Sequence, residues 1–546
     1  MVSLCYQLMF KTKFILIFIL FLAFALRFWQ LGSVPISPDW DEASLAYNAY
    51  SIATTGRDEY GIFLPTTLKS FGDYKPALYA YLAIPSVILF DVSTFAIRFP
   101  SMAIGVISVL LTFLLIKELF KNEKIALLSA FILAISPWHI QFSRTAFEAN
   151  LGVFLNILTA YLFIKGLKRP YLLFASAIIS GLSIYAYQSE KIFAPLFMLS
   201  LIIIFRKELL ELGRKYLVPF VIIGLITVAP LLFSMVKNPE SLNRARSTSF
   251  IAENKFFSHT AERVSVDKEN NDLIGLVLDN RRVVYLRQSA GAYLSHFNPN
   301  WLFIEGDLPR HHAPNMGLLY LWELPFILIG LYFLIFGKFS KKAKLFIFSW
   351  FLISPIPAAV TNDVPHAVRT LNFLPTYQIF TALGIYSFLV WLKSFVKMDP
   401  FRYLIIGLGI LLVLFNFLFY LNQYFSQQNY YYSKEWQYGY KEAVEYVSSQ
   451  ANGYEKIVIS NEVPLDQSYI FFLFHLKYPP LEFQDAKTTV GNHSFSKYEF
   501  REIDWNNDQN LENTLFVGRA EDIGSGKILK TINYLNGETA IVIAKP

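Results

Sequence analysis

Residues 76–90 read PALYAYLAIPSVILF. Fifteen residues with Pro85 near the centre fall short of the roughly 20 that an apolar helix needs to cross a bilayer. The segment is nonetheless too apolar for a loop in water. Whether it crosses sets the orientation of everything after it. Eleven other apolar runs, near 14–30, 99–116, 125–142, 147–164, 171–187, 192–205, 216–236, 317–337, 345–360, 371–392 and 403–423, are read as spans. Cytoplasmic connections collect Lys and Arg. With 76–90 left uncrossed, nineteen cations fall on one side, in 11–13, 117–124, 165–169, 206–215, 338–344 and 393–402. Only Arg144, Lys191 and Arg369 mark the short connections of the other side. Residues 76–90 are therefore expected to form an interfacial or re-entrant helix, because a crossing there would turn most of the basic loops outward.

Composition supports the same solvent. The 546 residues are 54% apolar and 16% charged, with 52 Phe and 32 Tyr, against about 25% charged in soluble domains. This excludes an ordinary soluble enzyme. One cysteine, Cys5, excludes intramolecular disulfides and cysteine-rich zinc sites. The net charge of +7 arises from cations that punctuate apolar runs instead of forming one basic face, so no nucleic-acid partner is expected.

Three larger pieces then share the external side: 31–98, 237–315 and a tail from about 424. The tail combines a helix-like stretch, WQYGYKEAVEYVSSQ (436–450), with strand-like EKIVIS, NTLFVG and GETAIVIAKP, after the aromatic run Tyr430–Tyr432. It reads as a small α/β domain. The sequon Asn492-His493-Ser494 marks an exposed segment, and Trp301 and Phe303 read as membrane-belt aromatics. Ala23-Phe24-Ala25 resembles a cleavage site, but the first run is read as a retained anchor.

The first external loop holds the densest polar segment, SPDWDEASLAYNAYSIATTGRDEYG (37–61) followed by FGDYKPALYAYL. Ser37 as cap, Pro38 at the first helical position and Asp39, Asp41 and Glu42 in the first turn predict a helix start. These acids complement a helix dipole. About ten residues beyond a membrane exit, one of them is also placed to take a proton from an acceptor hydroxyl. Lys75, Arg98, Arg144 and Arg369 are the nearby cations, and by the topology above Lys75, Arg144 and Arg369 share the face of Asp41. Each suits a lipid phosphate; pairing of Arg144 with Glu148 and of Arg369 with Asp363 is the alternative. His311, His312 and His366, with acids such as Asp39, are candidates for acceptor contact or a divalent metal.

These residues carry a resemblance. An N-terminal span followed by PDWDEA, DYKPALYAYL, AIRFPS and FSRTAFEAN resembles the polyprenyl-phosphate-sugar-dependent transferases of the dolichyl-phosphate-mannose protein mannosyltransferase superfamily, which includes the lipid A aminoarabinose transferases. The motifs lie within residues 14–200. The resemblance implies the C-type glycosyltransferase fold, with the active site on the external face and often an external C-terminal domain; with the spans and tail read above, this is an α-helical polytopic membrane protein of about eleven transmembrane helices with a small extracytoplasmic α/β C-terminal domain. It implies a division into 1–423, with external loops 31–98 and 237–315, and 424–546. It makes Asp41-Glu42 the catalytic pair and Lys75-Pro76 and Arg144/Glu148 the donor-binding set, to which the topology adds Arg369. Glu148 stands where the family has Asp, one methylene longer in reach. The implied activity is inverting transfer of a sugar from a polyprenyl phosphate to a hydroxyl acceptor at the external face of the plasma membrane. No cofactor is required for it, and a divalent metal is a further candidate. The alternatives are a lipid-linked sugar flippase and an oligosaccharyltransferase or glycan ligase using a lipid diphosphate.

Overall fold

The computed structural model describes residues 2–237, 254–486 and 493–546. Residues 238–253 of the expected second loop and Asn492 of the sequon lie outside the described residues, as does the side chain of Cys5. The chain divides into two compact units. One comprises 1–26, 104–141 and 148–417, the other 27–103, 142–147 and 418–546.

The first unit is helical. Every apolar run read as a span is helical over most of its length. Five helices among the described residues are long and apolar enough to cross a membrane alone: Thr94–Phe120, Glu148–Gly166, Arg214–Lys237, Leu371–Phe395 and Asp399–Tyr432. A sixth is added if Glu123–Ile135 and Pro137–Arg144, bent by 57°, form one span. The bend falls where Pro137 lacks the N–H that would continue the ladder. Asp399–Tyr432 and Arg214–Lys237 bury only 6% and 11% of their most apolar windows. Helices apolar all round and bare to this degree are stable only against lipid, and the chain is a multi-pass membrane protein. Where helices do pack, small residues set the approach. A Cβ on Gly330 of Glu323–Phe336 would lie 1.9 Å from the Phe380 carbonyl oxygen, and one on Gly384 of Thr376–Phe395 would lie 1.9 Å from that of Phe326. Backbones this close occur only where both partners present glycine.

The second unit carries the first loop and the tail. Its first helix, Trp40–Thr55, starts later than the expected cap at Ser37. Asp39 is the N-cap, and Pro38 lies outside the helix. The reason is a reciprocal capping box: the Asp39 carboxylate accepts the Glu42 N–H at 2.8 Å, and the Glu42 carboxylate accepts the Asp39 N–H at 3.3 Å. Strands β1 (Thr67–Ser70) and β2 (Asp73–Pro76) follow as an antiparallel hairpin, Leu68 opposite Lys75. Its two-residue turn is Phe71-Gly72, with φ of 54° and 77°. Such turns normally take Asn or Gly first, and a Phe held left-handed costs about 1–2 kcal/mol. Residues 76–90, expected to be interfacial or re-entrant, give the helix Leu78–Phe90. Its 13 residues rise about 20 Å, less than the roughly 30 Å hydrocarbon core.

The tail is α/β as expected. Strands β3 (Lys456–Ile459), β4 (His493–Phe495), β5 (Tyr498–Phe500), β6 (Thr514–Gly518), β7 (Lys527–Asn533) and β8 (Thr539–Lys545) form one sheet in the order β4-β5-β3-β6-β8-β7. β3 runs parallel to β5 and β6, and the other pairs are antiparallel. Val458, Phe516, Val542 and Ala544 pack with Ile503 and Ile523 as its core. Gln484 joins the tail to the first loop, donating to the Ser51 hydroxyl (3.0 Å) and the Asp58 carbonyl (2.9 Å).

Candidate active site

Asp41 and Glu42 are adjacent in sequence and go to different environments. Glu42 is 2% exposed. Arg98 clamps it from two nitrogens, Nε at 2.9 Å from Oε1 and Nη2 at 2.7 Å from Oε2, and the Ala146 N–H donates to Oε1 at 2.7 Å. Arg98 also donates to the carbonyls of Pro35 and Ser37, both at 2.7 Å, and its guanidinium lies 5.5 Å from the Trp436 ring centre. The Glu42 oxygens are thus occupied from within. Asp41 has a side chain 29% exposed and pairs with Lys75 of β2. The Lys75 ammonium is 4.8 Å from the centre of the Phe71 ring. Of the two acids, Asp41 is the one that an incoming molecule can reach.

Arg144 is fully buried. Nη1 donates to the Arg27 carbonyl at 3.0 Å, Nη2 to those of Val34 (2.9 Å) and Gln30 (3.3 Å), and the Phe425 ring centre lies 4.8 Å from its guanidinium carbon. Arg144 ends one helix and Glu148 begins the next, so the two are not one turn apart on a continuous helix. Asp39 is wholly buried as the N-cap described above.

The loops of the first unit hold the remaining sequence-derived candidates. Arg369 donates to the Thr361 hydroxyl (2.7 Å) and the Asn362 carbonyl, neutral groups both. Asp363, its partner in the alternative reading, forms no ion pair with it among the described residues. His311 and His366 come together with ring centres 5.1 Å apart. They do so around Asp307, which the sequence reading did not single out; the spacing Asp307-x-x-x-His311 was the available signal. The Asp307 carboxylate accepts from His311 Nδ1 (2.8 Å) and the Ala367 N–H (2.6 Å). One ligand atom from each of Asp307, His311 and His366 lies within 4.8 Å of the others, and His366 Nδ1 is buried with no hydrogen-bond partner. Burial pushes both imidazoles below their usual range, His311 despite the opposing pull of Asp307. Neutral imidazole is the metal-binding form. His312 is turned elsewhere, with Nδ1 at 2.7 Å from the Ala313 carbonyl and 3.0 Å from that of Met316.

A further buried acid lies in the first loop. The Glu59 carboxylate accepts from Asn48 Nδ2 (3.2 Å), and Asn48 Oδ1 accepts the Glu59 N–H (3.1 Å). Burial, aided by neighbouring Asp58, pushes its carboxyl up to about 8 from an unfolded value of 4.5. Between those pH values the folded chain binds more protons than the unfolded one, so stability falls as pH rises through the window. Glu59→Gln is expected to flatten that fall, as read by melting temperature across the same pH range.

Residues 74–233 match the sequence profile of the dolichyl-phosphate-mannose-protein mannosyltransferase family. No curated protein sequence matches the chain significantly. Among solved structures, ArnT from Cupriavidus metallidurans superposes at a TM-score of 0.55 in the apo state, with 12% identity over 97% of each chain. Bound to undecaprenyl phosphate it scores 0.53, at 11% identity, covering 96% of this chain and 97% of that one. The chain has the C-type glycosyltransferase fold. The oligosaccharyltransferase AglB from Archaeoglobus fulgidus shares it. In complex with an inhibitory peptide and a dolichol-phosphate, AglB scores 0.50 at 14% identity over 85% of this chain. In complex with Zn and sulfate it scores 0.51 at 13% identity, over 96% of this chain and 72% of that one. This chain spans 64% of the length of the dolichol-phosphate-bound AglB chain.

Proposed function

We propose that the protein is an inverting membrane glycosyltransferase that moves a sugar from a polyprenyl phosphate to a hydroxyl acceptor on the extracytoplasmic side of the plasma membrane. The observation that carries this reading is the Asp41–Lys75 pair, a reachable carboxylate held against a cation beside an internally satisfied Glu42. The acceptor hydroxyl gives its proton to the Asp41 carboxylate as its oxygen forms a bond to the sugar C1. The bond from C1 to the phosphate oxygen breaks, and polyprenyl phosphate leaves with that electron pair. Negative charge grows on the leaving phosphate, and the Lys75 ammonium, released from Asp41 as the carboxylate is protonated, stabilises it there.

Glu42 and Arg98 act as positioning residues that fix the start of Trp40–Thr55. In this reading Arg144, spent on carbonyls, frames the loop. Arg369 carries a guanidinium with neutral partners and suits a phosphate headgroup. Residues 424–546 serve the acceptor. A divalent metal fits Asp307, His311 and His366, two imidazoles and a carboxylate that would hold it, and a bound Zn²⁺ would supply Lewis acidity there. Purified protein is then expected to retain about one Zn²⁺ per chain, lost in His366→Ala, as read by elemental analysis.

The direct test uses membranes holding the full chain and labelled polyprenyl-monophosphate sugars. Donor consumption with label appearing on a hydroxyl acceptor supports transfer. Protein-dependent movement of the intact donor between leaflets, without consumption, replaces the reading with a flippase. Consumption only of lipid-diphosphate glycans replaces it with a glycan ligase.

A further inference from the structure

The second unit holds a cavity of about 210 Å³ between the tip of the β1–β2 hairpin and the tail. Its aromatic walls are Phe71, Tyr469, His493 and Phe500. Tyr469 and His493 stack with ring centres 3.6 Å apart and planes 5° from parallel, and Phe71 stands at 72° to Tyr469. The polar wall is Asn461, Asp466 and Gln467, with Gln467 Nε2 donating to the Asp466 carboxylate at 3.3 Å.

We infer that this cavity is an acceptor subsite that takes one neutral, hydroxyl-bearing sugar ring. The inference rests on the glycosyltransferase reading and adds the acceptor's chemical class to it. Three observations carry it. The first is Phe71 itself: a bulky residue in the left-handed region at a turn that normally takes Asn or Gly, a strain of the kind found at binding sites. Its ring lines the cavity and also contacts the ammonium of Lys75, whose partner is Asp41. A ring seated against Phe71 is therefore one side chain away from the ion pair.

The second is charge. Among the described residues no Lys or Arg lines the cavity, and the charged group there is the Asp466 carboxylate. Burial, with the positive charge of Lys69, pushes the His493 imidazole down to about 4, so it is neutral at pH 7. Such a wall rejects phosphates and sulfates and welcomes hydroxyls, which donate to carboxylate and amide oxygens. The third is size and shape. The volume is below the usual 300–1,000 Å³ of drug-sized sites, which suits a single ring better than an extended peptide. The two aromatic planes meet at a corner against which the apolar faces of a ring pack.

The test uses the full chain in nanodiscs and methyl glycosides of common neutral hexoses, read by saturation-transfer NMR, with glucose 1-phosphate as the anionic probe. A neutral glycoside is expected to receive saturation, and the phosphate is not. Phe71→Ala is expected to remove the signal. Gln467→Ala, a half-buried change at the wall, is expected to weaken it while the melting temperature holds. Equal signals in wild type and both variants, a preference for the phosphate, or no signal from any hexoside overturns the subsite. In transfer assays Gln467→Ala is expected to raise the acceptor KM about tenfold; an unchanged KM also counts against it. Wild type that consumes donor without binding hexosides overturns the subsite alone. Wild type that binds hexosides but consumes no donor overturns the transferase reading, and the acceptor role with it.

Discussion

Asp41→Asn at matched expression is expected to lower sugar transfer by about 10²–10⁴-fold, the usual contribution of a positioned general base. The change keeps the size and one oxygen of the side chain, so Lys75 retains an acceptor and the hairpin has no cause to move. What is lost is the site for the hydroxyl proton. Donor binding is expected to persist, so the loss should fall on kcat and kcat/KM together instead of on KM alone. Lys75→Met separates the roles, because it removes the cation that follows charge onto the leaving phosphate. A slow donor with a more basic leaving group should suffer more from it than a fast one. Transfer in Asp41→Asn at wild-type rate would remove Asp41 from the chemistry.

Arg98→Ala is expected to be the most destabilising single change in the second unit. Glu42 and Arg98 are 2% and 0% exposed, and removing one partner of such a pair leaves a buried charge alone, at a cost of about 3–5 kcal/mol. Arg98 also satisfies backbone carbonyls of the segment ahead of the Trp40–Thr55 helix. The measured result should be a marked drop in melting temperature and in folded protein recovered from membranes. The double change Arg98→Met with Glu42→Gln should recover part of the loss, because the unpaired charge is gone and an uncharged pair of similar volume remains. If Arg98→Ala melts like wild type, Glu42 has another partner that supports it.

Much of this was legible from local pattern. Apolar runs and their flanking cations placed the helices, and the short strand-like apolar runs of the tail placed strands β3, β6 and β8. The short segment 76–90 emerged as the 13-residue helix Leu78–Phe90. The acids of the first loop were found as a cluster, although the capping box moved the helix start from Ser37 to Asp39. Less legible were pairings between distant positions. Nothing in the spacing of Asp41 and Glu42 shows that one meets Lys75, 34 residues on, and the other Arg98, 56 residues on. Arg98 was visible as a cation near the site but was not assigned to Glu42. Asp307 gains its place from His366, 59 residues on, and only its spacing four before His311 is local.

The sequence by itself determined the solvent, the helical runs, the α/β tail and the loop that holds the cluster of acids. All of these follow from hydropathy and period, which are sums over neighbouring residues. The tertiary structure alone decided that Asp41 is open while Glu42 is sealed, that Arg144 is buried against backbone carbonyls, that Asp307 joins His311 and His366, and that Phe71 faces the tail. Burial and partner choice depend on where the closed chain brings residues far apart in sequence, and a carboxylate's reactivity is set by what surrounds it there.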